Sequence, residues 1–155
     1  YLLQAGADLT WKGDDGMTSL HLAAQNGYLE VVHAILNQNN MQRKFINLRD
    51  EGGWTSLVWA CENRHEEIID YLLKRGADPL IMDTEGNIAL HWGSLSGSRS
   101  TCERLLNHGC DVNATNSLGE TPMHIALRQD HYEVAVLLLM RGANLQIRNK
   151  NDQEP

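Results

Sequence analysis

Cysteine and long apolar runs are both scarce in this chain, and each shortage excludes something. The three cysteines, Cys61, Cys102 and Cys110, are odd in number and have neither metal-ligand nor redox spacing. We therefore predict buried free thiols in a reducing, intracellular compartment. No run approaches the roughly 18 apolar residues that a membrane span requires, and no basic region precedes an apolar segment at the N-terminus. The sequence thus predicts a soluble protein that does not bind a membrane.

Motifs of catalysis and of cofactor binding are missing as well. The chain has no glycine-rich phosphate loop after a strand, no nucleophile paired with a base, and no zinc-ligand spacing. We therefore expect a non-catalytic chain that holds no cofactor and no metal.

Basic residues are fewer than acidic ones in one region of the chain. Between Asp50 and Glu85 there are nine acidic residues and three basic ones, whereas the rest of the chain is nearly balanced. Because an acidic surface repels phosphate backbones, we expect no direct contact with nucleic acid, and a basic peptide suits this region better. A solvated acidic surface is the plain alternative.

What the sequence does contain is a repeat. Four segments align as DDGMTSLHLAA, EGGWTSLVWAC, TEGNIALHWGS and SLGETPMHIAL, and their shared glycines lie 37, 33 and 33 residues apart. These glycines are Gly16, Gly53, Gly86 and Gly119. A second set of glycines closes the apolar helix ends LLQAGAD, LLKRGAD, LLNHGCD and LLMRGAN, where a left-handed cap is expected. The second set is Gly6, Gly76, Gly109 and Gly142.

The period of 33 and the signatures TPMH, TSLH, HLAA and GAD resemble the ankyrin repeat over almost the whole chain. The resemblance implies an all-α ankyrin-repeat solenoid of paired antiparallel helices with hairpin-like fingers. The helical spacing of apolar residues in EVVHAIL and EIIDYLL predicts helices independently. We predict one domain over residues 1–155, interpreted as a fragment of a larger protein. Its full repeats are 14–49, 50–82, 83–115 and 116–148, and its partial repeats are 1–13 and 149–155.

Residues that recur in the same slot of several repeats are interpreted as frame residues. His21, His91 and His124 share one slot, so we predict a structural role and not a metal or catalytic cluster. A threonine precedes the first helix of three repeats, where its hydroxyl can cap the open backbone N–H groups. These threonines are Thr18, Thr55 and Thr121.

Two slots vary from repeat to repeat and carry the large aromatic residues. The finger slot before the threonine holds Met17, Trp54, Asn87 and Glu120, and the slot after the frame histidine holds Leu22, Trp59, Trp92 and Ile125. In ankyrin-like folds these slots belong to the finger and to the exposed inner face of the first helix, which line the binding groove. Stacked first helices would place the backbones of Trp59 and Trp92 about 8 to 10 Å apart. Glu62 follows Trp59 by three residues and points the same way.

Three indoles and a carboxylate suit an alkylated ammonium, so Trp54, Trp59, Glu62 and Trp92 are candidates for a methyl-lysine cage. Methylation weakens hydration, and each indole face supplies cation–π attraction of about 0.5 to 2 kcal/mol. Mono- and dimethyllysine keep an N–H for Glu62, whereas trimethyllysine has none. The spacing leaves open a generic protein-binding groove, since tryptophan is common at interfaces, and chance exposure.

The stretches DEGGWTSLVWACENRH and DTEGNIALHW are similar to the ankyrin region of the euchromatic histone-lysine methyltransferases. This resemblance implies a reader of the histone H3 tail mono- or dimethylated at lysine 9, with the four cage residues just named. It also implies a nuclear, chromatin-associated parent protein whose catalytic domain lies elsewhere. The implied peptide-binding groove consists of Asp83, Glu85, Glu120, Thr121 and Pro122.

One departure from that family lies beside the predicted cage. Gly93 and Ser94 follow Trp92 where the family has two alanines. Because glycine is a poor helix former, we expect this helix start to be loosened.

Overall fold

The computed structural model describes residues 8–38 and 45–155. Eight helices lie wholly within those residues, and none of those residues is in a strand, which confirms the predicted all-α class. The chain divides into two compact units, Tyr1–Asp78 and Pro79–Pro155, called here the N-terminal and the C-terminal unit. The predicted cap at Gly6 and part of the long connection after the first repeat fall outside the described residues.

The N-terminal unit contains two helix pairs. Its helices are α1 (Ser19–Asn26), α2 (Leu29–Leu36), α3 (Ser56–Glu62) and α4 (Glu66–Lys74). The first helices α1 and α3 pack against each other, and each also packs against the second helix of its own pair. Apolar side chains on the facing sides are fully buried, among them Val32, Leu57 and Leu72. Stacking of the pairs therefore supplies the core that one pair could not enclose alone.

The C-terminal unit repeats this arrangement. Its helices are α5 (Ala89–Ser96), α6 (Arg99–Asn107), α7 (Pro122–Arg128) and α8 (Tyr132–Met140). Here α5 packs against α7, and α6 packs against α8. The core includes Leu90, Leu105, Met123 and Leu138, all almost inaccessible to solvent.

The ends of the helices follow the sequence prediction. The Oγ1 atoms of Thr55 and Thr121 accept the backbone N–H groups of Val58 and His124, which confirms the capping role of these two threonines. At Thr18 the bond that closes the start of the helix is the reciprocal one, in which the backbone N–H of Thr18 donates to His21 Nδ1 at 3.0 Å. The glycines after the second helices have φ angles of 92°, 90° and 92°, so the predicted left-handed caps are confirmed where they are described. They are Gly76, Gly109 and Gly142.

The three frame histidines connect each first helix to the next finger, which agrees with the structural role predicted for them. His21 Nε2 lies 3.1 Å from the carbonyl of Trp54, His91 Nε2 lies 3.1 Å from that of Glu120, and His124 Nε2 lies 3.0 Å from that of Gln153. In each ring Nδ1 accepts a backbone N–H, so Nε2 is the protonated donor. Burial lowers the pKa of His21 and His91, which favours this neutral state.

Two histidines that the sequence left without a role also belong to the frame. His65 Nε2 lies 3.0 Å from the carbonyl of Gln25, and His131 Nε2 lies 3.0 Å from that of Leu95. Each histidine precedes the second helix of its pair and contacts the next-to-last residue of the first helix in the preceding pair. Their separation of 66 residues, which is two periods, is the signal that could have identified them.

The expected loosening beside Trp92 is wrong. Helix α5 runs without a break from Ala89 to Ser96, and Gly93 and Ser94 are both buried within it. A Cβ at Gly93 would lie 3.3 Å from both Cys102 Sγ and Thr101 Cγ2. Helix α6 packs so closely here that a larger residue would have to displace these side chains by a few tenths of an ångström. The helix therefore forms despite the low helix propensity of glycine.

The cysteines are buried and free, as the sequence predicts. Burial raises the pKa of the Cys102 thiol to about 12, so it stays protonated and inert at neutral pH. Among the described residues, no helix has the length and apolar character needed to cross a membrane.

Candidate functional site

The fingers are short loops whose first residue shapes them. In the finger at residues 50–55, Asp50 N–H donates to the carbonyl of Trp54 at 3.0 Å, and Asp50 Oδ1 accepts the N–H of Trp54 at 2.8 Å. The fingers that begin at Asp83, Asn116 and Asn149 use the same two bonds. At these four positions the side-chain oxygen of an aspartate or asparagine stands in for a backbone acceptor. The first finger has Gly13 at this position and keeps the backbone bond, from Gly13 N–H to the carbonyl of Met17 at 2.9 Å.

In the N-terminal unit the finger also holds a tryptophan of the helix that follows. Trp59 Nε1–H donates to Asp50 Oδ2 at 2.9 Å, so one carboxylate closes the finger and fixes the indole. A hydrogen bond to a charged acceptor is worth roughly 1.5 to 3 kcal/mol. The ring of Trp59 is therefore held in one orientation before any ligand arrives.

Trp54 and Trp59 contact each other directly. Their ring centroids are 4.4 Å apart and their planes are inclined by 52°. Nothing fits between rings this close, so the pair cannot sandwich a ligand. The two rings instead form a corner with two adjoining faces, and both residues are half-buried.

The corner is one wall of a groove of about 500 Å³ within the N-terminal unit, called here the N-terminal groove. Met17 and Leu22 supply an apolar side, and Leu22 is 49% exposed. Its polar lining consists of Asp15, Gln25, Asp50, Glu51 and the backbone of Gly52. The described lining therefore combines aromatic and apolar surface with three carboxylates and no basic side chain.

Glu62 is the last residue of α3 and is half-buried, one turn after Trp59. The predicted cage joins it and the two indoles of the N-terminal unit to Trp92, which belongs to the C-terminal unit. The four-residue cage therefore stays a prediction.

Trp92 is anchored in the same manner as Trp59. Its Nε1–H donates to Asp83 Oδ2 at 2.9 Å. Asp83 is only 6% exposed, and it also accepts the backbone N–H groups of Glu85 and Asn87 at 2.9 Å and the side-chain amide of Asn87 at 3.3 Å. This carboxylate is thus more deeply built into its finger than Asp50 is.

The C-terminal unit has a groove at the equivalent place, called here the C-terminal groove, of about 190 Å³. Its lining includes Trp92, Leu118 and Ile125. Arg128 also lines it and makes a two-pronged ion pair with Glu120, whose side chain is 9% exposed. The C-terminal groove is therefore smaller in volume and already holds a guanidinium from its own chain.

The two grooves correspond position by position. Asp50, Trp54, Trp59 and Glu62 recur two periods later, 66 residues on, as Asn116, Glu120, Ile125 and Arg128. The sequence predicted that the slot after the frame histidine is exposed in each repeat, and this prediction is wrong for the last repeat. Ile125 is 5% exposed, because at this position α7 buries an aliphatic side chain instead of presenting an indole.

The predicted peptide-groove residues have unequal access to solvent. Glu85 is exposed, whereas Asp83 and Glu120 are buried and occupied by the contacts just described. Thr121 caps α7 and Pro122 is its buried first residue. The fold therefore uses four of these five side chains for its own frame, and their contact with a peptide stays a prediction.

The sequence analysis missed the finger carboxylates as supports of the indoles. The signal is an aspartate nine residues before a tryptophan, at Asp50 and Trp59 and again at Asp83 and Trp92. Where the tryptophan is replaced by Ile125, the finger begins with Asn116. The carboxylate is thus present where an indole N–H needs an acceptor.

The paired helices, the fingers and the frame histidines define a helical-repeat protein of the kind that stacks successive helix pairs. The model of the family described as ankyrin repeats (3 copies) matches residues 1–83 and 76–149. The chain belongs to the ankyrin-repeat family.

Relatives of known identity share these repeats in varied settings. The chain is 29% identical over 94% of its length to transient receptor potential cation channel subfamily A member 1 of Homo sapiens. It is 34% identical over 94% of its length to ankyrin repeat protein nuc-2 of Neurospora crassa, and 37% identical over 70% to target of rapamycin complex 2 subunit AVO2 of Saccharomyces cerevisiae. It spans 13%, 13% and 25% of those relatives, respectively.

Proposed function

We propose that this ankyrin-repeat module binds a positively charged segment of a partner protein through the face where its fingers and first helices meet. The observation that carries this proposal is the corner formed by Trp54 and Trp59, which opens onto a groove with three carboxylates. Indole faces attract cations, and the carboxylates favour a basic ligand over an acidic one. Ankyrin repeats are non-catalytic binding modules, which agrees with such a role.

We further propose a finer function, the reading of mono- or dimethyllysine on the histone H3 tail at lysine 9. It is supported by the resemblance of DEGGWTSLVWACENRH and DTEGNIALHW to the euchromatic methyltransferases, with Trp54, Trp59, Glu62 and Trp92 as the cage. A nuclear, chromatin-associated parent with methyltransferase activity belongs to the same proposal. The relatives named above include no histone-lysine methyltransferase, so they support the general binding role and not this finer one.

The peptide-binding groove proposed with this function consists of Asp83, Glu85, Glu120, Thr121 and Pro122. Glu85 is the one with an exposed side chain, so it is the first choice for a direct contact with a basic residue of the peptide. Exposed ion pairs contribute about 0 to 1 kcal/mol, and we expect Glu85→Gln to weaken binding no more than about fivefold.

The test is a titration with histone H3 tail peptides that are unmodified, mono-, di- or trimethylated at lysine 9. We expect the mono- and dimethylated peptides to bind most tightly and Trp59→Ala to weaken their binding roughly tenfold, through loss of a cation–π contact. Trp11→Ala is the matched control, because Trp11 is 71% exposed and does not line the N-terminal groove.

The two levels of the proposal fail differently. Equal affinity for all four peptides would reject methyl-lysine reading and leave the general role standing. Glu62→Gln should narrow the difference between di- and trimethylated peptides if Glu62 accepts the remaining N–H. Failure of the acidic, aromatic face to bind any basic segment, with Trp59→Ala equal to the parent, would reject the general role too.

A further inference from the structure

We infer that the N-terminal groove is a binding site for the side chain of an unmethylated arginine. In one respect this rests on the proposed function, since the arginine would belong to the same partner segment. The site differs from the predicted cage: it lies wholly in the N-terminal unit and includes neither Glu62 nor Trp92.

The shape of the groove suits a long amphipathic side chain. Its volume of about 500 Å³ falls in the range of ligand pockets, and Met17 and Leu22 line one side. The hydrocarbon stem of an arginine or lysine can lie along such an apolar side while its charged head stays at the polar rim. The opposite wall is the corner of Trp54 and Trp59.

The charge of the groove selects a cation and favours one that is planar. Asp15 and Glu51 are exposed residues on neighbouring finger tips, which are joined by the bond from Glu51 N–H to the Asp15 carbonyl at 3.1 Å. Asp50 lies at the base of the second finger. A guanidinium presents five donors in a flat fork that pairs with carboxylates and stacks on an indole face, whereas an ammonium is a point charge.

The groove lacks the enclosure that a methylated ammonium requires. Among the described residues that line the groove, Trp54 and Trp59 are the two aromatic ones, and because they contact each other, neither faces the other across it. A methylammonium gains most when several rings surround it, whereas one indole face is enough for a stacked guanidinium.

The C-terminal groove shows what a guanidinium does at this place in the fold. There Arg128 fills the equivalent position and pairs with the finger carboxylate of Glu120. In the N-terminal unit the residues at these two positions are Glu62, which does not line the groove, and Trp54, which does. The described lining of the N-terminal groove therefore has carboxylates and indoles but no basic side chain. A partner's arginine would supply there the charge that Arg128 supplies internally.

The experiment is an NMR titration of the whole chain with N-acetyl-argininamide, following the four indole N–H resonances. We expect saturable shifts at Trp54 and Trp59, and none at Trp92, whose groove contains Arg128. N-acetyl-citrullinamide, which has nearly the same shape and no charge, should leave all four unchanged. The inference is overturned if Trp54 and Trp59 do not move, if Trp92 moves equally, or if citrulline acts as arginine does.

A double variant tests the carboxylates without disturbing the core. Asp15→Asn with Glu51→Gln should weaken the argininamide shifts at least fivefold, because both residues are exposed and lie at the rim. Glu133→Gln, which removes an exposed acid from α8, should have no effect. Equal binding by the double variant and its parent would reject the site.

Failure here can be distinguished from failure of the proposed function. If argininamide binds at Trp54 and Trp59 while histone H3 peptides bind without regard to methylation, the arginine site stands and methyl-lysine reading falls. If the dimethylated peptide is preferred but argininamide moves no indole, the reverse holds.

Discussion

The two units contain grooves at equivalent positions that differ in the charges of their side chains. In the C-terminal unit Arg128 pairs with Glu120, and about 190 Å³ remains. In the N-terminal unit Glu62 and Trp54 replace them, and about 500 Å³ is lined by carboxylates and indoles. The frame around both is alike, with a histidine bond from the first helix to the next finger. The two units therefore keep the same frame and differ in the side chains at a few slots.

The two aspartates that accept the indole N–H groups, Asp50 and Asp83, differ in how deeply they are buried. Replacing them should have the largest effect that we expect, a loss in the free energy of unfolding. Asp83→Ala removes four hydrogen bonds from a buried carboxylate, whereas Asp50→Ala removes two from a half-buried one. We expect losses in the free energy of unfolding of about 3 and about 1.5 kcal/mol, respectively. Denaturant titration of both variants would measure them.

Asparagine at the same position is the control for that comparison. Asp83→Asn and Asp50→Asn keep the oxygen that shapes the finger, as Asn116 does naturally, but can lose the acceptor of the indole N–H. Each should destabilise by about 1 kcal/mol and shift the matching indole N–H resonance. If the alanine and asparagine variants lost equal stability, the finger bond would contribute nothing and our account of the anchors would be wrong.

Removal of Arg128 should make the C-terminal groove resemble the N-terminal one. Arg128→Ala leaves the carboxylate of Glu120 without its ion partner, and we expect a loss of about 1 kcal/mol, because Arg128 itself is half exposed. The same variant should acquire an argininamide shift at Trp92. Lys150→Ala, which removes an exposed basic residue that lines neither groove, serves as the control. An unchanged Trp92 resonance in Arg128→Ala would contradict the equivalence of the grooves.

The smallest effect that we expect is a loss of stability at acidic pH, with a contribution from one frame histidine in each unit. Burial lowers the pKa of His21 and of His91 below the value of the unfolded chain. The folded state thus favours the neutral rings, so their contribution is complete above about pH 6.5 and is lost as the pH falls through the folded pKa values. Thermal unfolding midpoints should drop between pH 7.5 and pH 5.5.

Substitution of each ring separates the two contributions. His91→Gln should be less stable at pH 7.5 but should lose less on acidification, and His21→Gln should behave likewise. His108→Gln is the comparison, since His108 is exposed. If all three variants followed the parent's pH dependence, titration of the frame histidines would not be its cause.

The sequence predicted the fold class, the frame histidines, the threonine caps, the glycine caps and the buried cysteines. These features are local or periodic, so a pattern such as TPMH or GAD returns wherever the same backbone position returns. It erred at Gly93 and at Ile125, because helix propensity and slot identity do not reveal how closely a neighbouring helix packs.

The chemistry of the candidate site was decided by tertiary structure. The sequence placed Trp54 and Trp59 in variable slots, but only folding brings their rings to 4.4 Å and turns them into a corner instead of two walls. Likewise Glu120 reads as an exposed acid until Arg128 is seen to cover it. A finger folds back on the helix that follows it, and this brings their side chains together within one repeat. The repeat pattern therefore determines which slots vary, and the packing of the side chains determines what those slots can bind.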